Sequence, residues 1–492
     1  MELKVDMRTN RYTLFAIFLL MLFVNSRDSL HAQQSSGFAT LIEWEQRTLN
    51  FMLDRSHNFG ATHYNRGLFR RTINPMSPEH EIDLLTYRYT YLDDYRWHTA
   101  DQAYRLSVGS LNATNFAIEN KIKMNYRPGD RHLVKVDGFH EENLRTDRFL
   151  FRLGYEYQLK NRHQIGAEHT LSRDKSDLDI TLYYKYGDIE NGMIYAGFTW
   201  MDWGAGVVQD LAEGSDNEWN DRYELVYEYG KHPFLYNIKI VSPEIGNFKA
   251  EILAGIQTKL EKEVRSTSDP GQIFSDEEWA HYLGALAQYS HPFGLIGVTY
   301  QRRFSKLIRQ PVPGSDFIED FSNRQYSDRG GFFVTGTYRN FSAEQWMWLE
   351  RNVDSLQGET VPGDLAPNYS NVGRQPFHFV EQRLKMKSRI LYGSDRKGIQ
   401  LGLEFHADYR YPEGDPHPDN GVRNLDFRRV YPTVRNRNDR LTFTIGYRVN
   451  EKFHFLAGVS YDIDQDKQSG IGYPREPGSR FDGGFGRLSV EW

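Results

Sequence analysis

Charged side chains recur at every second position along several stretches of the sequence whose remaining positions are apolar. In one stretch Glu119, Lys121 and Lys123 alternate with Ile122 and Met124. Successive side chains of an extended chain point to opposite faces, so each such stretch has a charged face and an apolar face. A face that carries both signs can pair internally across neighbouring strands, or it can orient polar and charged solutes in a narrow passage. The sequence leaves both interpretations open.

The charged residues on the clearest of these stretches are candidates for lining such a passage. They are Arg88, Glu119, Lys121, Lys123, Arg152, Glu156, Lys185, Glu404, Asp408, Arg410 and Arg448. Arg152 is predicted to lie two strands beyond the stretch that holds Lys121 and Lys123, which suggests a locally positive wall. This local surplus alone does not predict a preference for anions.

Catalytic and metal-binding patterns are absent from the sequence. None of the 16 histidines belongs to an HExxH or other metal-binding spacing. His406 and Asp408 share one face, where a solvated pair is the simpler interpretation. The carboxylates Asp415 and Asp419 lie in a polar segment without EF-hand spacing. We therefore expect no enzymatic activity, no metal and no cofactor.

Composition narrows the class of protein. The 492 residues carry a formal net charge of -6, and without a basic surplus nucleic acid is not an expected partner. The mean hydropathy of -0.67 is polar, yet 14% of the residues are aromatic. This combination is natural where apolar and polar positions alternate. The chain has no cysteine, which excludes disulfides and thiolate sites.

The N-terminus has the layout of an export signal. Lys4, Arg8 and Arg11 precede an apolar run over 13–24, which is short for a spanning helix of about 20 residues. This pattern predicts a signal peptide over residues 1–32, cleaved after Ala32. Residues 33–58 have apolar positions at helical spacing and predict one amphipathic helix. That helix could lie at the membrane surface or in the periplasm, or it could plug the lumen of the domain that follows.

The alternating stretches are long for strands of a soluble protein. Many run for about 9–13 residues, against a usual strand of about 5–6, and a strand needs roughly 9–11 residues to cross a bilayer. Lipid offers no partner to an unpaired backbone group, so spanning strands must close into a ring. The sequence therefore predicts an all-β fold. Residues 59–492 would form a transmembrane antiparallel β-barrel of about 18 strands, with 16 to 20 possible.

The C-terminal stretch supports this architecture. Leu488, Val490 and Trp492 alternate with polar residues, and the chain ends on the tryptophan. This pattern resembles the C-terminal assembly signal of Gram-negative outer-membrane β-barrels. The resemblance implies that the protein lies in the outer membrane in contact with its lipid. It also implies that the barrel-assembly machinery reads the last strand.

Connections of two lengths predict the topology. Several are tight, and others are long and polar, at about 204–221, 262–277, 305–329, 341–377, 412–438 and 464–480. Barrels of this class place short turns in the periplasm and longer loops outside. The segment 305–329 breaks this alternation unless it contains a further strand, for which we predict a turn at 328–330. Trp346 and Trp348 then fall in an outer loop, where they could stack on sugar rings or simply pack.

Together these features predict an outer-membrane channel that passes hydrophilic solutes through a charged lumen, as a porin or a selective transporter does. The expected ligands are small hydrophilic solutes or an oligosaccharide. Length and strand number also resemble those of alginate-export-type barrels, so polysaccharide export is an alternative. A surface-anchoring barrel and a non-transporting scaffold of a secretion or envelope complex are further alternatives.

Overall fold

The computed structural model describes residues 101–492 apart from 112–114, 144–146, 173–178, 189–190, 202, 204–206, 211–224, 267–270, 272, 317–319, 360–376, 394–396, 414–436 and 464–480. In this part of the chain every regular element is a β-strand. No helix in it is long and apolar enough to cross a membrane. The predicted signal peptide (1–32), the predicted helix (33–58) and Arg88 lie outside the described residues.

Twenty strands follow one another along the described part of the chain. Their bounds are β1 Gln102–Leu111, β2 Asn115–Gly129, β3 His132–Asn143, β4 Asp147–Gln158, β5 His163–Ser172, β6 Asp179–Asp188, β7 Gly192–Trp200, β8 Val207–Asp210, β9 Leu225–Lys231, β10 Phe234–Val241, β11 Phe248–Ser266, β12 Ile273–His291, β13 Gly294–Pro311, β14 Asp320–Tyr338, β15 Phe341–Glu359, β16 Phe377–Gly393, β17 Gly398–Glu413, β18 Arg437–Asn450, β19 Phe453–Asp462 and β20 Phe481–Glu491.

Eighteen of these strands close into a barrel in which neighbours are antiparallel. β1 pairs with both β2 and β20, and the backbone N–H of Trp492 donates to the carbonyl of Gln102 at 3.2 Å. The two remaining strands, β8 and β9, pair with each other and extend the wall, since β9 continues along the distal part of β11. β7 pairs directly with β10, which keeps the ring continuous. The predicted antiparallel barrel of about 18 strands is confirmed.

The two faces of the wall differ as the alternation predicts. On β6, Leu182 is 52% exposed and Tyr184 and Tyr186 are each 38% exposed on the outer face. Tyr183, which lies between them, and Asp179 at the start of the strand are buried on the inner face. Apolar side chains facing outward and polar ones facing inward are the arrangement that a lipid environment selects. The resemblance to outer-membrane β-barrels is thus confirmed at the level of architecture.

Strands β11 to β15 contain 18 or 19 residues each. Nineteen residues extend roughly 60 Å at about 3.3 Å per residue, which exceeds the ~30 Å hydrocarbon core even with a tilt. On β13 the outward positions Ile296, Val298 and Tyr300 are exposed and apolar. The next outward position, Arg302, is charged and 48% exposed. This side of the barrel therefore projects beyond the apolar belt.

Two predicted connections are wrong in this tall region. The predicted turn at 328–330 does not exist, because β14 runs straight through it to Tyr338. The hydroxyl of Tyr300 donates to Asp328 at 2.8 Å, and Arg329 pairs with Glu350 at 3.2 Å, so strand neighbours satisfy these polar residues. The segment 341–377 is also not one loop, because its first part is β15. Likewise, most of 262–277 belongs to β11 and β12.

Five aromatic side chains on the inner face each cover a glycine at the directly opposite position of the neighbouring strand. The pairs are Tyr183 with Gly166, Tyr282 with Gly255, Phe333 with Gly297, Trp348 with Gly331 and Phe485 with Gly458. A Cβ atom built on any of these glycines would lie less than 3.0 Å from the ring. The missing side chain therefore lets each ring lie against the wall of the barrel.

The turn between β6 and β7 is held by a carboxylate outside the apolar belt. Asp188 accepts hydrogen bonds from the backbone N–H of Asn191 at 2.7 Å and from its side-chain amide at 3.0 Å. Arg162 pairs with the other carboxylate oxygen at 3.0 Å. Partial burial pushes the pKa of Asp188 upward, but these hydrogen bonds and the nearby guanidinium outweigh it and lower the pKa below its ordinary value.

Candidate lumenal site

A buried carboxylate gathers three donors on the inner wall of β3 to β6. Glu156 of β4 accepts from the ammonium of Lys135 at 3.0 Å and from the hydroxyl of Tyr183 at 2.9 Å. Lys185 donates to both oxygens of the same carboxylate, at 3.1 and 3.0 Å. Glu168 of β5 lies 3.6 Å from the ammonium of Lys135. These residues, which we name the Glu156 network, satisfy one another close to the turns that end β4 and β6.

The neighbouring positions continue the alternation of charge across β2 to β4. Asp137 of β3 lies directly opposite Lys123 on one side and Arg152 on the other. Lys123 is buried. Opposite charges at directly paired positions attract each other across the sheet. The locally positive stretch of β2 therefore faces a carboxylate.

A second network lies on β15 to β17. The carboxylate of Glu344 lies 3.4 Å from the ammonium of Lys387 and 3.0 Å from Nε of Arg389. Arg389 is directly opposite Glu404 of β17, and all four residues are buried. Like the Glu156 network, this set lies within a few residues of the short turns. Charged groups thus occur on two separated parts of the wall near the same end of the barrel.

The structure describes most of the residues predicted to line a passage. Lys123, Glu156, Glu404 and Arg448 are buried on the inner face, and Lys185 belongs to the Glu156 network. Further residues are placed only by their strands. These are Lys121 and Glu119 in β2, Arg152 in β4, and Asp408 and Arg410 in β17. At the C-terminus, Leu488 and Val490 alternate with the inward Arg487, and Trp492 is 52% exposed.

The buried charges of the wall are nearly balanced in sign. Ten buried side chains are basic, namely Arg105, Lys123, Lys239, Lys249, Lys262, Arg309, Lys387, Arg389, Arg448 and Arg487. Seven are acidic, namely Glu156, Asp179, Glu251, Asp276, Glu278, Glu344 and Glu404. The basic surplus of three is small among the side chains that the structure describes. Such a wall can orient polar solutes without excluding either sign of charge.

An aromatic strip on the inner face of β15 was missed from sequence. Trp346 and Trp348 lie on this strand, and not in a loop. Their ring centroids are 5.6 Å apart with planes 15° from parallel, and Phe333 stacks on Trp346 at 4.3 Å. The outward neighbour Leu349 is 68% exposed, so the indoles point to the opposite, lumenal side. Period-two alternation across 344–350 was the signal that could have revealed this strand.

Two further tryptophans lie elsewhere. Trp200, at the end of β7, is 41% exposed on the outer surface, where an interfacial aromatic is expected. Trp203 donates from its indole N–H to Nε2 of His169 at 2.8 Å. Among the residues that the structure describes, no group of three or more histidine and carboxylate side chains could hold a metal ion.

Comparisons with known proteins find solved structures of low similarity. No protein-family model matches the chain, and no curated protein matches it. Pseudomonas aeruginosa OccK11 (OpdR) is 9% identical, with 79% of this chain and 95% of that chain covered and a TM-score of 0.34. Acinetobacter baumannii OccAB3 is 10% identical, with 80% and 98% covered and a TM-score of 0.35.

A third solved structure is BauA, the ferric preacinetobactin receptor of Acinetobacter baumannii. It is 8% identical, with 80% of each chain covered and a TM-score of 0.33. These low scores carry no argument about function. The architecture rests on strand pairing and on the two faces of the wall, and the function has to be argued from the site.

Proposed function

We propose that this protein is an outer-membrane channel through which small hydrophilic solutes diffuse. The observation that carries the proposal is the contrast between the two faces of the closed wall. Exposed apolar side chains cover the outside, while buried charges of both signs line the inside. A lumen that only had to be filled could use apolar side chains and avoid the cost of desolvating charges.

The two charged networks suggest how the channel treats its solutes. Glu156, Glu344 and their basic partners are held by strand pairing and mutual hydrogen bonds. Fixed charges on separated parts of a low-dielectric wall create a field across the lumen. Because these groups are buried or partly buried and paired with one another, they act on a passing polar or charged solute through this field and not by direct contact. Passage is therefore selective by size and weakly selective by charge.

Release of solutes from liposomes tests this proposal. We expect vesicles containing the refolded protein to admit neutral sugars at rates that fall with solute size. Lys135→Glu should increase the permeability to cations relative to anions, because it reverses a charge of the Glu156 network. Lys306→Glu is the matched control, since Lys306 lies over Trp279 at 5.0 Å on the outer surface. Vesicles with a correctly folded barrel that admit no solute of any size would contradict the proposal.

We further propose that the protein reaches the outer membrane after cleavage of its signal peptide and that Leu488, Val490 and Trp492 present it to the barrel-assembly machinery. The closing strand β20 supports this role, because it pairs with β1 to complete the ring. Removal of the C-terminal aromatic should leave the protein in the periplasm, which cell fractionation would detect. Full insertion without it would contradict the assembly role.

A further inference from the structure

The inner face of β15 carries an ordered series of side chains that the diffusion of ions does not require. In chain order the inward positions are Glu344, Trp346, Trp348 and Glu350. Both carboxylates are paired, Glu344 with Lys387 and Arg389 and Glu350 with Arg329. The two indoles thus form an apolar step between two sets of hydrogen-bonding groups. We name this arrangement the tryptophan step.

The tryptophan step lies at the depth of the apolar belt. Trp346 and Trp348 are the sixth and eighth residues of β15, which begins after a short turn at Phe341. The outward residues beside them, Met347 and Leu349, are apolar. The step therefore lies inside the barrel, level with the membrane. Both indoles are only partly buried, so part of each surface remains accessible.

The chemistry of this step fits a pyranose ring. A sugar ring has an apolar C–H face that packs on an aromatic ring and a rim of hydroxyl groups that need hydrogen-bond partners. Binding sites for small molecules combine aromatic walls with a few placed polar groups in this way. The indole centroids are 5.6 Å apart, which is close to the length of one hexose unit. Stacked Phe333, which is fully buried, fixes the orientation of Trp346 from behind.

Charged residues surround the step. Glu344 pairs with Lys387 and Arg389, and Glu350 pairs with Arg329. On the neighbouring β16, Lys387 lies directly opposite Trp346 and Lys385 lies directly opposite Trp348. The paired groups still offer donors and acceptors to hydroxyls.

We infer that the tryptophan step is a binding site for an oligosaccharide in the lumen. This inference rests on the proposed channel function and names its class of substrate. A sugar seated on Trp346 and Trp348 narrows the path for ions, so sugar binding is visible as block of the ion current. It also changes the surroundings of the indoles, so binding is visible in their fluorescence even in a channel that carries no current.

The test uses the refolded mature protein in planar bilayers and in detergent, with maltohexaose as the probe. We expect maltohexaose to block the ion current saturably and to change tryptophan fluorescence over the same concentration range. Trp348→Ala should raise the half-blocking concentration at least about tenfold, or ~1.4 kcal/mol. Trp348→Tyr, which keeps an aromatic face, should recover most of that loss. Trp200→Ala, a change on the outer surface, should leave the half-blocking concentration unaltered.

A comparison solute sharpens the test. Polyethylene glycol of matched size should block without any dependence on Trp348, and equal dependence would overturn the inference. Because Trp348 covers Gly331, W348A could fail to fold, and Glu350→Gln is then the second variant. It keeps the shape of the side chain and should raise the half-blocking concentration about threefold or more.

The two proposals fail in different ways. Open channels with no effect of maltohexaose on current or fluorescence would overturn the sugar site and leave the channel intact. A folded protein without current that still showed fluorescence saturation dependent on Trp348 would overturn the channel and support the sugar site.

Discussion

The pair formed by Gly297 and Phe333 gives a quantitative prediction for the stability of the barrel. Phe333 is fully buried on the inner face, and truncation of such a side chain to alanine costs ~3–5 kcal/mol. A Cβ on Gly297 would lie less than 3.0 Å from the ring of Phe333. The ring packs against Trp346 and a buried apolar cluster, so it cannot easily swing away. Gly297→Ala should therefore cost ~1–3 kcal/mol through overpacking.

The double variant separates this mechanism from general damage. Once Phe333 is alanine, the methyl group at residue 297 meets no ring and occupies part of the cavity. The double variant should therefore be ~1–3 kcal/mol more stable than the sum of the two single changes predicts, within the range of couplings for contacting residues. Equilibrium unfolding in urea, with the barrel in lipid vesicles, measures the three free energies of unfolding.

Gly330→Ala, on the strand that carries Phe333 (β14), is the control, because a Cβ there would have no atom within 4 Å. It should change the free energy of unfolding by no more than about 1 kcal/mol. Additive effects of G297A and F333A to within ~0.5 kcal/mol would refute the packing argument. A harmless G297A would refute it as well.

Three further predictions follow from polar groups and the C-terminus. Glu156→Gln leaves Lys135 and Lys185 without their shared counter-charge. In a salt gradient it should shift the reversal potential towards the equilibrium potential of the anion. It should also lower the free energy of unfolding in urea by ~3–5 kcal/mol. Because Asp188 has a lowered pKa in the folded state, its contribution is present above the ordinary Asp pKa of about 3.9 and is lost as the pH falls through the lowered value. Asp188→Asn should reduce the difference between unfolding midpoints measured in urea at pH 7 and at acid pH, and an unchanged difference would contradict this origin. Trp492→Ala should lower the fraction of heat-modifiable, assembled barrel on gels, whereas undiminished assembly would show that the aromatic is dispensable.

The strands that could be predicted from sequence are those whose alternation is uninterrupted. On β6 and on the first part of β17, apolar and polar positions alternate in sequence, and the outward residues are the exposed ones. Period two follows from strand geometry alone. This is why the class of fold and the approximate number of strands could be predicted.

The tall side of the barrel could not be predicted in this way, because its polar residues resemble turns. Asp328, Arg329 and Gly330 form a turn-like sequence, yet they lie within β14. Their partners Tyr300 and Glu350 are 28 and 21 residues away in the chain. Without the register of the neighbouring strands, nothing in the local sequence shows that these polar groups are satisfied.

The candidate site required the same long-range information. Lys135, Glu156 and Lys185 belong to three strands, and Glu156 meets Lys185 across the intervening β5. Alternation predicts that such residues share the inner face, but not which of them touch. The sequence places Trp346 and Trp348 in a loop because β15 extends far beyond the length of a spanning strand. Its distal half is polar, so the whole segment 341–377 resembles a single loop.

Single-channel conductance of the refolded mature protein in planar bilayers tests the central claim most directly. The charged inner wall predicts stable open steps, with a reversal potential that moves when Glu156 or Lys135 is changed. Persistent silence from a heat-modifiable, fully folded barrel would contradict the claim that the lumen conducts hydrophilic solutes.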